Sequence, residues 1–530
     1  MTKGRQERTR SENREPRLPV GARFVQRMAD LDPEICYRAL QTHDERFDGR
    51  LFVGVTSTGI YCRPVCPVRP PKLDHCRFYS SAAAAHEAGF RPCLRCRPET
   101  APELGSWRGS SNTVSRGLSL IAEGELDGDD ASVETLAERL GVGGRQLRRL
   151  FKEHLGASPL TVAQTRRVHF AKQLIHDTRL PMAEIALAAG FGSVRRFNET
   201  FQQLFQRPPS ALRRKHVETL PEGTVAQSGV TVHLSYRAPY DWRAMLAHLE
   251  QRTLDGIERV DGNSYRRTVL LDGHLGSVEV THAPEAQALA ATIRFPNVRA
   301  LPQIVARIRR MFDLGADVTR IEDHLLRDPL LAPLVRARPG LRTPGGWEGF
   351  ELAVRAVLGQ QVSVQAGRRL SLTLARLCGN SVSLSDSGHA GLNLAFPGPS
   401  EVARADLSSL RMPGARKRAL SALAAAACEN PQLFQPLDTV ESTVARLCAI
   451  PGIGEWTAHY IALRAVREPD AFPASDVGLL RGAQAEGASR PSASMLRARA
   501  EQWRPFRAYA AQHLWAADAH RQAKKEGTSP

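Results

Sequence analysis

The period of the hydrophobic positions changes along the chain, and each change predicts a different kind of element. Residues 51–56, Leu-Phe-Val-Gly-Val-Thr, form a short apolar run that predicts a strand, and the alanine-rich 80–89 predicts a short helix ending at Gly89. Val133, Leu136, Ala137 and Leu140 then recur at steps of three and four residues. The run breaks at Gly141-Val-Gly-Gly and resumes with Leu147, Leu150 and Phe151, which is helix–turn–helix spacing. A longer helix is expected over 162–175, with Phe170 and Leu174 toward a core. A second helical pair follows, with Pro181 expected in a first turn, Gly190 and Gly192 at the connection and Ser193 as a cap. Its packing face is Ile185, Ala186, Val194, Phe197 and Phe201. Segments 230–236, 264–271 and 276–281 alternate with period two and predict a small antiparallel sheet. Beyond Leu301 the helical period returns, over 304–312, 347–358 and 362–374.

Length turns this pattern into domains. A chain of 530 residues exceeds what one core supports. Breaks at Gly105-Ser-Trp-Arg-Gly-Ser-Ser and Pro221-Glu-Gly-Thr divide it. The expected order is a disordered basic arm (1–24), a cysteine module (25–105), a helical module (106–216), a sheet (228–300), a helical body (301–520) and a polar tail (521–530). A formal charge of +17 asks for an anionic partner, with nucleic acid first. No run of eighteen apolar residues occurs and the amino terminus lacks the apolar core of a signal peptide, so a cytoplasmic, nucleoid-associated protein with no membrane partner is expected. Nine cysteines, an odd number, fit a reducing compartment better than a disulfide framework.

Four of those cysteines carry the first chemistry. Cys62 and Cys66 form one close pair, Cys93 and Cys96 another, and the chain between them brings both pairs to one ion. One four-cysteine Zn2+ site is therefore expected. Cys36 and Cys76 lack a close cysteine partner and read as buried structural thiols, with ligation as the alternative. Arg50, Arg63, Arg69, Lys72, Arg77, Arg91, Arg95 and Arg97 surround the pairs; such cations stabilise a doubly negative thiolate centre and are suited to a phosphate backbone. The strings Thr58-Gly-Ile-Tyr-Cys62-Arg-Pro-Val-Cys66, Phe78-Tyr79 and Gly89-Phe-Arg-Pro-Cys93-Leu-Arg-Cys96-Arg-Pro resemble the amino-terminal domain of bacterial Ada alkylation-response proteins over most of 30–100. The resemblance implies that Cys62 accepts a methyl group from a DNA phosphotriester, with Cys66, Cys93 and Cys96 as the remaining ligands. No regenerating base is evident, so one transfer per molecule is expected.

In the helical module, Arg145, Gln146 and Arg149 fall on or near the outer face of one second helix, and Arg195, Arg196 and Asn198 on the other. The doublet, with Phe205-Gln-Arg-Pro-Pro-Ser-Ala-Leu-Arg-Arg, resembles the DNA-binding module of AraC-type regulators over about 115–214. That implies promoter recognition by two helices in successive major-groove segments, with many arginines contacting phosphate alone. RNA polymerase is the expected partner of an activator, and a monomer the expected state.

The last module contains Leu447-Cys-Ala-Ile-Pro-Gly452-Ile-Gly454-Glu-Trp456, which reads as a helix–hairpin–helix whose glycine turn brings backbone amides to a DNA phosphate. Asp476 follows 22 positions after Gly454. Together with the segments beginning at Trp347 and Trp503, this constellation resembles AlkA-type DNA-3-methyladenine glycosylases over nearly all of 228–517. The resemblance implies excision of alkylated bases flipped from duplex DNA, with Asp476 catalytic, Trp456, Tyr460 and Trp515 lining the base pocket, and Gln360 in the pocket or the lesion gap. Without the resemblance, each aromatic reads as core and Asp476 as a helix cap. Ser475 stands where the best-known bacterial member has a second acid, leaving Asp476 alone. No lysine lies between Gly454 and Asp476, so no Schiff-base nucleophile is expected and the product is an abasic site without strand cleavage. No cysteine follows Cys448, which argues against a carboxy-terminal iron–sulfur cluster. The expected fold is multidomain α+β: a small four-cysteine zinc domain, an all-α double helix–turn–helix, a small antiparallel sheet and a helical helix–hairpin–helix body. The alternative is a DNA-binding regulator with a catalytically inactive glycosylase-like domain.

Overall fold

Tyr61 lies opposite Pro92 in a short parallel pairing, and this register sets Cys62 beside Cys93. The computed structural model that shows it describes residues 32–102, 112–128, 131–213, 229–378, 391–437, 439–484 and 489–525. The expected arm, the 105–111 junction, the 221–224 break and the tail beyond 525 lie outside those residues. Helix α1 (Pro33–Gln41) is capped by Asp32, whose carboxylate accepts from Glu34 N. Strands β1 (Phe52–Val55), β2 (Ile60–Cys62), β3 (Cys76–Tyr79) and β4 (Arg91–Pro92) form a sheet in the order β3-β1-β2-β4. Helix α2 (Ala82–Glu87) starts at the expected segment, with Ser81 as its cap. Cys36 and Cys76 pack with Leu40, Leu51 and Val53 in a small core. Burial, and then the charge of Asp32, pushes the Cys36 thiol up to about 11, consistent with a structural role.

Six helices follow: α3 (Asn112–Glu123), α4 (Val133–Arg139), α5 (Gly144–Leu155), α6 (Pro159–Asp177), α7 (Met182–Ala188) and α8 (Val194–Phe205). Leu147, Phe151, Phe197 and Phe201 are fully buried, as the spacing predicts. The hydroxyls of Ser132, Ser158 and Ser193 each accept an amide N–H of the following first turn. Pro181 differs from expectation. Its ψ of 148° is extended, so it precedes the first turn of α7 and occupies the cap position. The turn into α8 requires glycine at 190, where φ is +86° and a Cβ would lie 2.2 Å from the Asp127 carboxyl carbon. Asp127 in turn accepts from Arg166 of α6 at 3.0 Å.

The sheet of the third module runs β5 (Val230–Ser235), β6 (Glu258–Asp261), β7 (Ser264–Leu271), β8 (His274–Ala283) and β9 (Ala288–Arg294), in the order β5-β9-β8-β7-β6 and antiparallel throughout. Helix α9 (Trp242–Glu250) follows β5. The helical body contains α10 (Leu301–Met311), α11 (Val318–Leu325), α12 (Ala332–Ala337), α13 (Gly349–Leu358), α14 (Val364–Cys378), α15 (Pro399–Arg404) and α16 (Gly414–Glu429). Its carboxy-terminal half contains α17 (Val440–Cys448), α18 (Glu455–Ile461), α19 (Val477–Gly482), α20 (Ala493–Ala500) and α21 (Arg507–Lys525). A buried ion network joins sheet to body. Arg267 of β7 meets Glu351 of α13 at 2.8 Å, and Arg355 of α13 meets Glu258 of β6 at 2.8 Å. Charges buried this deeply are tolerable only because each is paired, and the pairing fixes how the two layers meet.

Contacts also cross between modules. Lys172 of α6 and Glu99, both fully buried, pair at 2.8 Å, and Tyr61 Oη lies 2.7 Å from His169 Nε2. Arg237 donates to the Arg46 and Asp48 carbonyls at 2.9 and 2.5 Å, tying the cysteine module to the start of the third module. One apolar core runs from α6, α7 and α8 into the five-stranded sheet, including Phe197, Phe201, Val232, Leu234 and Trp242. Among the described residues, no helix is long and apolar enough to cross a membrane.

Candidate functional site

The thiols of Cys62, Cys66, Cys93 and Cys96 lie within 4.8 Å of one another, three of them buried and Cys62 partly exposed. Tetrahedral zinc with bonds of ~2.3 Å separates its sulfurs by ~3.8 Å, so the set fits one such ion without rebuilding. Local backbone supplies further support: Arg63 N–H points to Cys96 Sγ at 3.4 Å and Arg95 N–H to Cys93 Sγ at 3.3 Å. Such donors favour deprotonated sulfur. Seven of the eight surrounding cations divide into two groups, and Arg91 is partly buried. Arg63 is bound to Asp48 and Thr100, Arg97 to Glu99 and Arg50 to Asp317, so these three hold the fold together. Arg69, Lys72, Arg77 and Arg95 are exposed and suited to a phosphate backbone.

In the third module, Asp476 caps α19 by accepting Leu479 N–H at 3.0 Å. It is also more than a cap. Trp456 Nε1 donates to its Oδ2 at 2.9 Å and Trp515 Nε1 to its Oδ1 at 2.8 Å. Three donors orient one partly exposed carboxylate. Tyr460 stacks on Trp456 at 5.5 Å and 14° and meets Trp515 edge-on at 6.4 Å. The three expected aromatics are thus brought together around Asp476, all partly exposed. Burial pushes the Tyr460 phenol up, but the Arg252 and Arg464 charges outweigh it and leave the phenol below its ordinary value.

Of the two glycines at the hairpin turn, Gly452 alone takes a left-handed backbone. Gly452 sits at φ +86°, and a Cβ there would lie 2.4 Å from Ala419 Cβ. Gly454 caps α18, and a Cβ there would meet nothing within 4 Å, leaving an open approach to its amides. Gln360 donates to Gly452 O at 3.2 Å and Thr457 Oγ1 at 2.9 Å, so its amide braces this turn. On the helical module, Arg145, Gln146, Arg149, Arg195, Arg196 and Asn198 are all exposed. Arg195 pairs with Glu199 at 2.8 Å and Arg149 with Glu153 at 3.8 Å, solvent-facing contacts weak enough to exchange for phosphate.

Sequence reasoning missed several members of these sites. Gly478 leaves room for the Trp515–Asp476 bond, since a Cβ there would lie 3.0 Å from both Asp476 Oδ1 and Trp515 Cδ1. Arg464 lies on a π-helical turn, Ala462–Val466, with its guanidinium 5.0 Å from the Trp515 ring centroid. Nothing in its helical spacing separates it from other arginines. The Tyr61–His169 and Glu99–Lys172 pairs were equally hidden, because their partners are remote in sequence.

Comparison with known proteins agrees with this layout. Residues 35–99 match the model for the metal binding domain of Ada, 136–215 a helix-turn-helix domain, and 231–348 the AlkA N-terminal domain. The "Probable bifunctional transcriptional activator/DNA repair enzyme AlkA" of Mycobacterium tuberculosis (strain ATCC 25618 / H37Rv) is 40% identical over 491 residues, covering 92% of this chain and 97% of that protein. DNA-3-methyladenine glycosylase 2 of Escherichia coli (strain K12) is 34% identical over 285 residues, 53% of this chain and 95% of that protein. The bifunctional transcriptional activator/DNA repair enzyme AdaA of Bacillus subtilis (strain 168) is 28% identical over 191 residues, 35% of this chain and 85% of that protein.

Proposed function

This chain belongs to the family of bifunctional transcriptional activator/DNA repair enzymes that join an Ada-type metal-binding domain to an AlkA-type glycosylase, and from that premise we propose which residues do its work. The protein is a DNA-binding transcriptional activator and a repair enzyme, with DNA-3-methyladenine glycosylase and Ada-type methyl-acceptor activities. Its cofactor is one Zn2+, which Cys62, Cys66, Cys93 and Cys96 hold. When bound, the ion keeps the sulfurs deprotonated at neutral pH while the excess negative charge of four thiolates preserves their nucleophilicity.

Cys62 is the methyl acceptor, and the observation that carries this choice is its exposure: it alone of the four thiols is not buried. Its sulfur attacks the methyl carbon of a methylphosphotriester. An S–C bond forms, the C–O bond breaks, and the electron pair stays on oxygen, restoring a phosphodiester and leaving a thioether. One negative charge is lost at the centre, so repulsion toward DNA phosphates falls and promoter binding strengthens.

Base excision belongs to Asp476, supported by its place at the junction of Trp456, Tyr460 and Trp515. A flipped base enters among the aromatics, the C1′–N bond breaks with its electrons leaving on the base, and Asp476 stabilises the positive charge developing on the sugar. Water adds at C1′ and its proton is released, giving an abasic site. Gly452 and Gly454 present backbone amides to the adjoining phosphate, and Gln360 keeps their turn in place. Arg145, Gln146, Arg149, Arg195, Arg196 and Asn198 face promoter DNA. The protein acts as a nucleoid-associated monomer that engages RNA polymerase.

Incubation with methylated duplex DNA tests both halves at once. The expected products are methyl on Cys62, located by peptide mass mapping, and free 3-methyladenine. Methyl on a different cysteine overturns the first assignment. Failure to release base returns the third module to an inactive, purely DNA-binding role.

A further inference from the structure

Arg464 is 3% exposed, and no carboxylate among the described residues lies within ion-pair distance of it. Its NH1 donates to Pro344 O at 2.9 Å and its NH2 to Gln512 Oε1 at 2.8 Å, while Nε has no hydrogen-bond partner. A lone cation buried on neutral acceptors is expensive to keep, so its charge asks for a purpose. The guanidinium lies 5.0 Å from the Trp515 ring centroid and 5.9 Å from that of Tyr460, two walls of the base pocket. It is buried while both rings are partly exposed, so it approaches them from the protein interior. The π-helical turn Ala462–Val466 carries it there directly from α18, which supplies Trp456 and Tyr460.

We propose that Arg464 is a specificity-determining residue of the base pocket, which weakens its preference for cationic bases and promotes departure of neutral damaged purines. The inference rests on the assignment of this pocket to base excision. Two effects follow from the position of the charge. A cation on one side of an aromatic ring draws its electron density, so a second cation stacked on the other side is held less tightly. The leaving groups also differ. When the C1′–N bond breaks, a cationic base departs neutral, whereas a neutral base gathers negative charge that a nearby fixed guanidinium stabilises. Asp476 and Arg464 are therefore complementary, the first answering charge on the sugar and the second charge on the base.

The experiment measures kcat/KM for the full chain on two duplexes of one sequence, one containing 7-methylguanine as the cationic base and one hypoxanthine as the neutral base. Arg464→Met removes the charge, Arg464→Gln removes it while keeping polar contacts, and Arg464→Lys keeps it. In Arg464→Met or Arg464→Gln the hypoxanthine-to-7-methylguanine ratio is expected to fall by about tenfold or more, with most of the change in kcat for hypoxanthine. Arg464→Lys is expected to restore much of that ratio. Equal loss on both bases in the two charge-removing variants, with no rescue by lysine, identifies Arg464 as a structural support and overturns the proposal. An unchanged ratio does the same, as does a wild-type protein that releases 7-methylguanine but no hypoxanthine. A wild-type protein that releases neither 3-methyladenine nor either test base overturns the pocket assignment itself.

Discussion

In the roles proposed for them, the cysteine cluster and the Asp476 pocket are both anionic centres that meet electrophilic carbon on DNA, yet one is consumed and the other survives. Cys62 belongs to a set of four sulfurs, and the backbone donors aimed at sulfur in that set fall on Cys66, Cys93 and Cys96. Its charge remains available, and it ends as a thioether. Asp476 has both oxygens engaged, by Trp456, Trp515 and Leu479 N–H. Those donors orient the carboxylate and restrain it from forming a bond, which suits the proposed role of stabilising a cation and returning unchanged. Hydrogen bonding thus separates a reagent from a catalyst.

The strongest test of this contrast is Cys62→Ser, which should abolish methyl transfer, read as the mass of one methyl group on the protein, while base release continues at the wild-type rate. Comparable methyl transfer in that variant would falsify the assignment. Asp476→Asn should give the reciprocal result, an excision rate lowered about 10³-fold with methyl transfer intact, because a carboxamide supplies no anion and opposes one indole donor with its own N–H. Release of 3-methyladenine in single-turnover assays measures it. Trp515→Phe keeps an aromatic wall and removes one donor to the carboxylate, so excision should fall about 10- to 100-fold. An unaffected rate would show that the indole bond does not orient Asp476.

Smaller effects separate fold from contact. Gly452→Ala forces a Cβ against Ala419 at a positive φ and should cost about 1–3 kcal/mol of stability in denaturant unfolding. Gly454→Ala, with open space, should leave stability unchanged and weaken DNA binding alone. On the cysteine side, burial holds the His169 imidazole neutral, down to about 3. Its ordinary value is ~6.5, so between those values the unfolded chain binds more protons and stability falls as pH drops. His169→Gln should flatten that part of the slope, measured as the difference in melting temperature between variant and wild type from pH 7 to 5.

Much of this molecule was legible in short-range pattern. Ser193 caps its helix because a hydroxyl three residues ahead of an amide is a local arrangement, and alternation marked β5, β7 and β8 of the sheet, although not β6 or β9, which complete it. The cysteine pairs were legible for the same reason. Pro181 shows the limit of such reading, since its fixed φ suits both a first helical turn and the residue before it, and only ψ distinguishes them.

The sequence by itself determined many of the element types and the four zinc-site cysteines, because spacing and local backbone chemistry encode them, whereas the role proposed for Asp476 came from a family resemblance and not from its spacing. Tertiary structure alone decided that Asp476 is held by two indoles, that Cys62 is the accessible thiol, that Arg464 lies beside the Trp515 and Tyr460 rings with no carboxylate in ion-pair distance among the described residues, and that the second helix–turn–helix shares a core with the sheet. Each of these depends on which remote surfaces meet and what they exclude from water. Burial and pairing across such distances have no period in the chain.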